Sequence, residues 1–69
     1  MTRIAIAQLI RAYRGQHRLT QEAFGRRLGV SPQAISKWER EECYPDITLL
    51  PDLARILGCQ LTDFFREEA

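Results

Sequence analysis

Apolar residues spaced three and four positions apart run along most of this chain, and such spacing is typical of helices that bury one face. The clearest set is Ile6, Leu9, Ile10 and Tyr13, which predicts a first helix from about residue 3 to residue 16. Similar patterns predict further helices over residues 21–28, 32–40, 49–57 and 61–67. No segment alternates as a strand would. The pattern therefore predicts one all-α domain, residues 1–69, built from five helices.

Pro51 decides where the fourth helix begins. With Thr48 as the N-cap, Pro51 lies at the third helical position, where its missing N–H has no partner within the helix to lose. With Asp46 as the N-cap, Pro51 would be the fifth residue and would clash with the preceding turn. We therefore predict a helix over residues 49–57 that ends at Gly58.

Residues 20–40 carry the signals of two short helices joined by a tight turn. Thr20 is a favourable N-cap, and Phe24 and Leu28 then lie one turn apart on one face. Gly29 can adopt the left-handed backbone conformation that ends such a helix. Gly25 leaves room for a close approach between the two helices. These signals together predict a helix-turn-helix.

The second of these helices carries a polar stripe on its outer side. Ser31 and Pro32 are the predicted N-cap and first helical residue, and Ile35 and Trp38 are predicted to face the core. Packing within any small helical bundle is the alternative interpretation of this periodicity. The outer side chains lie at i, i+3, i+4 and i+7, which suits hydrogen bonding along a DNA groove. This recognition stripe consists of Gln33, Ser36, Lys37 and Arg40.

The segment TQEAFGRRLGVSPQAISKWER, residues 20–40, resembles the helix-turn-helix of the phage-repressor (Cro/cI-like, or XRE) family. The resemblance extends from about residue 6 to residue 65 and includes YPDITLLPDLARILG after the motif. It implies a compact five-helix DNA-binding domain, usually a homodimer on a double-stranded operator with two-fold symmetry. A transcriptional regulator, either a repressor or an autoregulator, is the function that this resemblance implies.

The net charge of +1 is the sum of a basic first part of the chain and an acidic second part. Residues 1–40 contain eight basic and two acidic side chains, whereas residues 41–69 contain two basic and seven acidic ones. Ordinary solvation of an amphipathic bundle is the alternative explanation. A basic half that coincides with the helix-turn-helix favours a surface directed toward phosphate.

The recognition stripe supplies the predicted base contacts. Side chains near the N-terminus of a helix in the major groove reach the base edges. Gln33 suits adenine N6 and N7, Lys37 suits guanine O6 or N7, and Ser36 suits either class of base. Pro32 can pack on a thymine methyl group. For each of the four, a solvated surface side chain is the alternative interpretation.

Predicted phosphate contacts lie around the motif. Gln21 and Ser31 stand at helix N-termini, where free N–H groups favour an anion, and the resemblance places a Gln like Gln21 on the DNA backbone. Arg40 ends the recognition stripe, and Arg14 is a further predicted phosphate contact. The resemblance also implies an ion pair between Arg14 and Glu39 that braces the helix carrying the recognition stripe against the first helix.

Three positions depart from the usual consensus sequence of the family that this chain resembles. Arg18 and Glu41 stand where glycine is usual, and Glu42 stands where a basic residue is common. The two acids lie where the chain is expected to approach phosphates. They therefore predict weaker DNA binding or a loop held away from the DNA.

The adjacent residues Phe64 and Phe65 cannot both face one core from a helix, so we predict that this pair forms a homodimer interface. The same pair and the acidic second half also fit a protein-interaction module or an antitoxin-type partner, which is the alternative function.

Other chemistries have little support in the sequence. His17, Cys43 and Cys59 lack metal-ligand spacing, and we expect a surface histidine and reduced cysteines, with a Cys43–Cys59 disulfide as the alternative. No catalytic residues, metal site or cofactor are predicted. No stretch approaches the ~20 apolar residues that span a bilayer, and a cytoplasmic protein is expected.

Overall fold

The computed structural model describes residues 1–67, in which helices dominate and the two ends of the chain pair as strands. The α-helices are α1 (Ile6–His17), α2 (Gln21–Leu28), α3 (Pro32–Glu39) and α4 (Leu50–Leu57). Short 3-10 helices cover Ile47–Leu49 and Leu61–Phe64. The strands β1 (Thr2–Ile4) and β2 (Phe65–Glu67) form a two-stranded antiparallel sheet.

The predicted helix-turn-helix is confirmed at both helix starts. The Thr20 hydroxyl accepts a hydrogen bond from the Ala23 N–H at 3.0 Å, and the Ser31 hydroxyl accepts one from the Ala34 N–H at 3.2 Å. Each bond satisfies one of the N–H groups that a helix start leaves without an intrahelical partner. Residue 32 is a proline at the first turn of α3, as predicted.

Gly25 makes the tight turn between α2 and α3 possible. A Cβ atom at this position would lie 2.6 Å from the backbone carbonyl oxygen of Val30, which is well inside van der Waals contact. The Val30 N–H in turn donates to the Gly25 carbonyl at 2.9 Å. A side chain at residue 25 would therefore force the turn to move.

The core lies where α1, α2, α3 and α4 meet the 3-10 helix before β2. Phe24 and Ile35, predicted from the motif, are fully buried, and Trp38 is almost so. Because these side chains are buried, the faces of α2 and α3 that carry them point into the core, and the recognition stripe lies on the opposite, solvent-facing side of α3. The buried cluster consists of Ile6, Ile10, Phe24, Ile35, Trp38, Leu53, Ala54 and Phe64.

The α-helices among residues 1–67 share one way of ending, the Schellman motif, in which an N–H just past the helix returns to a carbonyl five residues earlier. In α3 the Glu42 N–H donates to the Lys37 carbonyl at 2.9 Å, and in α2 the same role belongs to Val30 and Gly25. The equivalent bonds join Leu19 to Arg14 after α1, at 2.9 Å, and Cys59 to Ala54 after α4, at 3.0 Å.

Each of these ends requires one residue with a positive φ, and only two of the four are glycine. Gly29 and Gly58 have φ values of 79° and 70°. Arg18 and Glu41 have φ values of 53° and 60°. Both are positions where the family resemblance implies glycine, and the backbone adopts the conformation that glycine favours.

The prediction of five helices without strands is wrong at both ends of the chain. The first helix begins at Ile6 and not near residue 3, because residues 2–4 pair with β2 in the register Thr2 to Glu67, Arg3 to Arg66 and Ile4 to Phe65. The predicted helix over residues 61–67 is a 3-10 helix followed by β2. Helical periodicity within a segment cannot report a strand partner more than sixty residues away.

The strand also separates the two phenylalanines predicted to form a dimer interface. Phe64 is fully buried in the core of its own chain, so it presents no surface to a partner. Phe65 is 46% exposed and pairs with Ile4 across the sheet. Next to this pair, the Ala5 N–H donates to the Phe64 carbonyl at 2.8 Å. Phe65 is therefore the member of the pair that remains accessible.

The fourth helix begins one residue later than predicted. Asp46 caps the 3-10 helix Ile47–Leu49 by accepting the Thr48 N–H at 2.9 Å, and α4 follows from Leu50. Thr48 is therefore not the cap of α4. Pro51 occupies the second helical position, where its missing N–H still costs no intrahelical bond. The predicted end at Gly58 is confirmed.

Glycine at either non-glycine helix end should stabilise the protein. We expect Arg18→Gly and Glu41→Gly each to raise the free energy of unfolding by up to about 1 kcal/mol. The left-handed conformation costs an L-residue roughly 1–2 kcal/mol, and the greater chain entropy of glycine offsets part of that gain. Urea unfolding measures the change.

Gln16→Gly, on the exposed surface of α1, is the matched control, since it introduces glycine where φ is already helical. It should destabilise by about 0.5–1 kcal/mol. If Arg18→Gly and Glu41→Gly destabilise to the same extent as Gln16→Gly, positive φ is not a source of strain at these helix ends.

Candidate nucleic-acid interface

The recognition stripe lies on the solvent side of α3. Gln33, Lys37 and Arg40 are exposed and Ser36 is half-buried. Pro32, at the start of the same helix, is half-buried. Because the opposite face of α3 is packed into the core, the stripe cannot rotate away from solvent without unfolding the helix-turn-helix.

Arg14 of α1 and Glu39 of α3 form the predicted ion pair, with two hydrogen bonds. The Arg14 Nε donates to Glu39 Oε2 at 2.7 Å, and Arg14 Nη2 donates to Oε1 at 2.8 Å. The Glu39 side chain is 7% exposed and that of Arg14 is 22% exposed. This two-pronged geometry restricts how α1 and α3 can move relative to each other, since the guanidinium and the carboxylate must stay close to coplanar to keep both bonds.

Two further donors complete the surroundings of Glu39. Gln21 Nε2 donates to Glu39 Oε1 at 3.3 Å, and Arg11 Nη1 donates to the Glu39 backbone carbonyl at 2.6 Å. Burial alone would raise the pKa of Glu39. Hydrogen bonds from Arg14 and Gln21, with the charges of Arg14 and Arg11, outweigh that effect and hold the pKa below its ordinary value. Glu39 is therefore a carboxylate that α1, α2 and α3 all share.

The residues predicted to contact phosphate differ in how far they are already hydrogen-bonded within the chain. Gln21 and Ser31 occupy the starts of α2 and α3, as predicted, although the Gln21 amide also reaches Glu39. Arg14 uses its remaining nitrogen, Nη1, to donate to the Leu19 carbonyl at 2.9 Å. All three guanidinium nitrogens of Arg14 thus bind within the chain. Its geometry supports the bracing role, and its phosphate contact stays a prediction.

Arg40, at the end of the recognition stripe, donates hydrogen bonds to two other side chains. Its Nε donates to the Glu42 carboxylate and its Nη1 donates to the Ser36 hydroxyl. The hydrogen bond from Arg40 lowers the pKa of Glu42, and the charges of Arg40 and Lys37 lower it further. The acidic loop that the sequence marked as unusual therefore touches the stripe directly.

Sequence reasoning missed the contact of Arg11 with α3. The available signal was the three-residue spacing between Arg11 and Arg14, which places both on one face of α1. On the exposed face of α2, Arg27 donates to the Tyr13 hydroxyl at 3.0 Å, and Arg26 pairs with Glu22.

The residues considered for other chemistry do not assemble into a site. His17 is exposed, as predicted, and its ring stacks on Tyr13 with centroids 4.1 Å apart. Cys43 and Cys59 are free thiols, exposed and half-buried respectively, so the alternative of a disulfide is wrong. Within residues 1–67, His, Cys, Asp and Glu form no group of three or more that could hold a metal ion. In the same range, no helix has the length and apolar character needed to cross a membrane.

The arrangement of α2, the turn and α3 agrees with a comparison to known families, since a helix-turn-helix family model matches residues 10–64. The chain belongs to the helix-turn-helix family. This helix-turn-helix protein is similar to an uncharacterised HTH-type transcriptional regulator of Methanocaldococcus jannaschii. The two are 36% identical over 56 residues, which cover 81% of this chain and 85% of that relative.

A second relative is a phage repressor, as the resemblance in the sequence implied. The helix-turn-helix chain is 41% identical over 54 residues to repressor protein C2 of Salmonella phage P22, over 78% of its own length. It spans about a quarter of that repressor. A crystal structure of the P22 c2 repressor with a synthetic operator has a TM-score of 0.77 and 37% identity to it, covering 86% of this chain and 89% of that one.

Removal of one partner of the Arg14–Glu39 pair should be costly. We expect Arg14→Met to lower the free energy of unfolding by about 2–4 kcal/mol, because Glu39 then keeps a buried charge with too few donors. The double variant Arg14→Met, Glu39→Met should be more stable than Arg14→Met alone. Arg26→Met, which removes the exposed pair with Glu22, is the control and should cost less than about 1 kcal/mol.

The pH dependence gives a second test of the same pair. The lowered pKa of Glu39 adds stability above the unfolded value of about 4.3, and this stability is lost as the pH falls through the folded pKa. Acid unfolding of Arg14→Met should therefore show a smaller loss between neutral and acidic pH. A loss of unchanged size would mean that Arg14 is not what holds the Glu39 carboxylate ionised.

Proposed function

We propose that this chain is a sequence-specific, double-stranded DNA-binding transcriptional regulator that places α3 in the major groove. The observation that carries the proposal is the recognition stripe, held outward on a helix whose other face is buried and whose last residue, Glu39, is fixed by Arg14. Such a helix presents polar side chains at a constant angle, which base readout requires. The likeness to a repressor solved with operator DNA supports the same role.

Four side chains along α3 are assigned to base readout. Gln33 lies in the first turn, exposed, and its amide can pair with adenine N6 and N7. Lys37, one turn later, can donate to guanine, and Ser36 can bond to either class of base. Pro32 can contact a thymine methyl group from the start of the helix. Their half-buried or exposed positions leave all four accessible to a groove.

The DNA backbone contacts are assigned to two helix starts and one arginine. The N-termini of α2 and α3, marked by Gln21 and Ser31, direct N–H groups and the positive ends of their helix dipoles outward. Arg40 supplies a positive charge at the far end of the stripe. These contacts fix the register of the protein and carry no base preference.

An operator with two-fold symmetry requires two copies of α3, so we propose a homodimer. Phe65 is assigned to its interface because the residue is 46% exposed on the sheet. A large apolar side chain on a short, accessible ribbon favours burial against a second subunit. The proposal includes no catalytic step and no cofactor, and it places the protein in the cytoplasm with the DNA that it reads.

Selection from a random duplex library with the purified protein tests the function. Enrichment of an inverted repeat with half-sites about one helical turn apart would support a dimeric operator binder. If folded protein enriches no sequence, that result favours the alternative function, a protein-interaction module or an antitoxin-type partner, which Phe65 and the acidic second half also fit.

Gln33→Ala should identify the base position that α3 reads. On the selected operator we expect a loss of roughly 1–3 kcal/mol in binding free energy, and at the contacted position the variant should discriminate poorly among bases. Its affinity for random duplex should change little, because an uncharged amide neutralises no phosphate. Fluorescence anisotropy with operator and random duplexes measures both quantities. Equal losses on both duplexes would contradict the readout role.

Phe65→Ser tests the assembly of the dimer. We expect a lower mass in solution by sedimentation or light scattering, with an unchanged far-ultraviolet spectrum, because residue 65 is outside the core. Phe64→Ser is the contrasting variant and should unfold the protein, since it removes about 2–5 kcal/mol of buried apolar packing. A Phe65→Ser protein with the mass of the parent would place the dimer contact elsewhere.

A further inference from the structure

The loop after α3 places an acidic side chain against the end of the recognition stripe. Glu41 adopts the left-handed conformation, with φ at 60°, and this reverses the chain. The Glu42 N–H then donates to the Lys37 carbonyl at 2.9 Å, and the Glu41 N–H donates to the Trp38 carbonyl at 3.1 Å. Backbone hydrogen bonds therefore fix Glu42 beside α3.

From this position Glu42 occupies part of the proposed DNA surface. Its carboxylate accepts a hydrogen bond from Arg40 Nε, and Arg40 Nη1 donates to the Ser36 hydroxyl. Two of the four members of the recognition stripe are thus held in one cluster. The side chains of Arg40 and Glu42 are 55% and 51% exposed, so an incoming phosphate can reach both.

A carboxylate and a phosphate compete for the same donors. Both are anionic oxygen acceptors, and both match the fork of a guanidinium group. A phosphate that binds Arg40 must therefore displace Glu42 or share the arginine with it.

We propose that Glu42 acts as an intramolecular substitute for DNA phosphate on Arg40 and thereby limits the sequence-independent part of DNA binding. The inference rests on the proposed function, since it assigns to one acid the strength of that same interface. Phosphate contacts carry no base preference, so the limit applies to operator and random DNA alike. Base readout by Gln33 and Lys37 is left intact.

The variant Glu42→Gln tests the proposal, with Glu41→Gln as its matched control. Both variants remove one negative charge from the same exposed loop, but of the two carboxylates it is that of Glu42 that accepts a hydrogen bond from the Arg40 guanidinium. Binding is measured by anisotropy on a random duplex and on the selected operator, over salt concentrations from about 0.05 to 0.3 M. Circular dichroism verifies that each variant is folded.

We expect Glu42→Gln to bind both duplexes about three- to tenfold more tightly than the parent at the lower salt concentrations, and to steepen the slope of log K against log salt by about one unit. Glu41→Gln should change affinity by less than about twofold and leave that slope unchanged. In an Arg40→Ala background, the gain from Glu42→Gln should fall below about twofold, because the competition has no arginine to act on.

Two results would overturn the inference while leaving the proposed function in place. Equal gains from Glu41→Gln and Glu42→Gln would mean that loop charge alone matters. A full gain from Glu42→Gln without Arg40 would mean that the carboxylate repels phosphate directly. If the parent and Glu42→Gln bind neither a selected sequence nor random duplex, the proposed function itself fails, and this inference fails with it.

Discussion

The buried carboxylate of Glu39 is the constraint on which the DNA-facing surface depends. It is the last residue of α3, and its charge is balanced by Arg14 from α1, with Gln21 of α2 as a further donor. A charge removed from water in this way tolerates few arrangements, because each lost hydrogen bond leaves it undercompensated. The three helices are therefore fixed relative to one another by a polar contact, in addition to the apolar core that they share.

This polar contact also explains why α3 can carry so little apolar surface. In eight residues the helix buries two large apolar side chains, Ile35 and Trp38, together with the charged Glu39. Ala34 adds only a small, partly buried contact with the core. Packing of two side chains alone would hold such a short helix weakly. The bond from Arg11 to the Glu39 carbonyl adds a cation at the negative end of the helix dipole. The C-terminal end of α3 is thus held by two arginines of α1 as well as by the burial of Trp38.

Signals of short sequence range predicted the central part of the structure well. The N-caps Thr20 and Ser31, the left-handed Gly29 and the buried Phe24 were predicted from spacing and residue type, and the structure confirms each. The Arg14–Glu39 pair followed from the family resemblance and not from periodicity. Arg18 and Glu41 are helix ends that residue type alone does not predict, because neither is glycine. The backbone at both positions nevertheless adopts the left-handed conformation that glycine favours.

The features that sequence could not predict depend on distant partners. Residues 2–4 and 65–67 are each too short to show a strand pattern, and only their pairing makes them strands. The contact between Arg40 and Glu42 depends on the exact path of a reversing loop, which charge counting along the chain does not describe. Composition separated a basic half from an acidic half, but the structure places one acid of the second half against the stripe of the first.

The pairing of β1 with β2 has a consequence for the kinetics of folding. These three-residue strands close almost the entire chain into a loop, whereas the helix-turn-helix forms from contacts between neighbouring segments. Contacts of such long sequence separation are the slowest to form, and a short exposed ribbon is among the first regions to open in native-state hydrogen exchange. The ribbon that carries Phe65 can therefore open while α2 and α3 stay folded. In the proposed dimer, assembly through that ribbon and base readout through α3 would then belong to separate cooperative units, and a subunit could lose its partner while α3 keeps its shape.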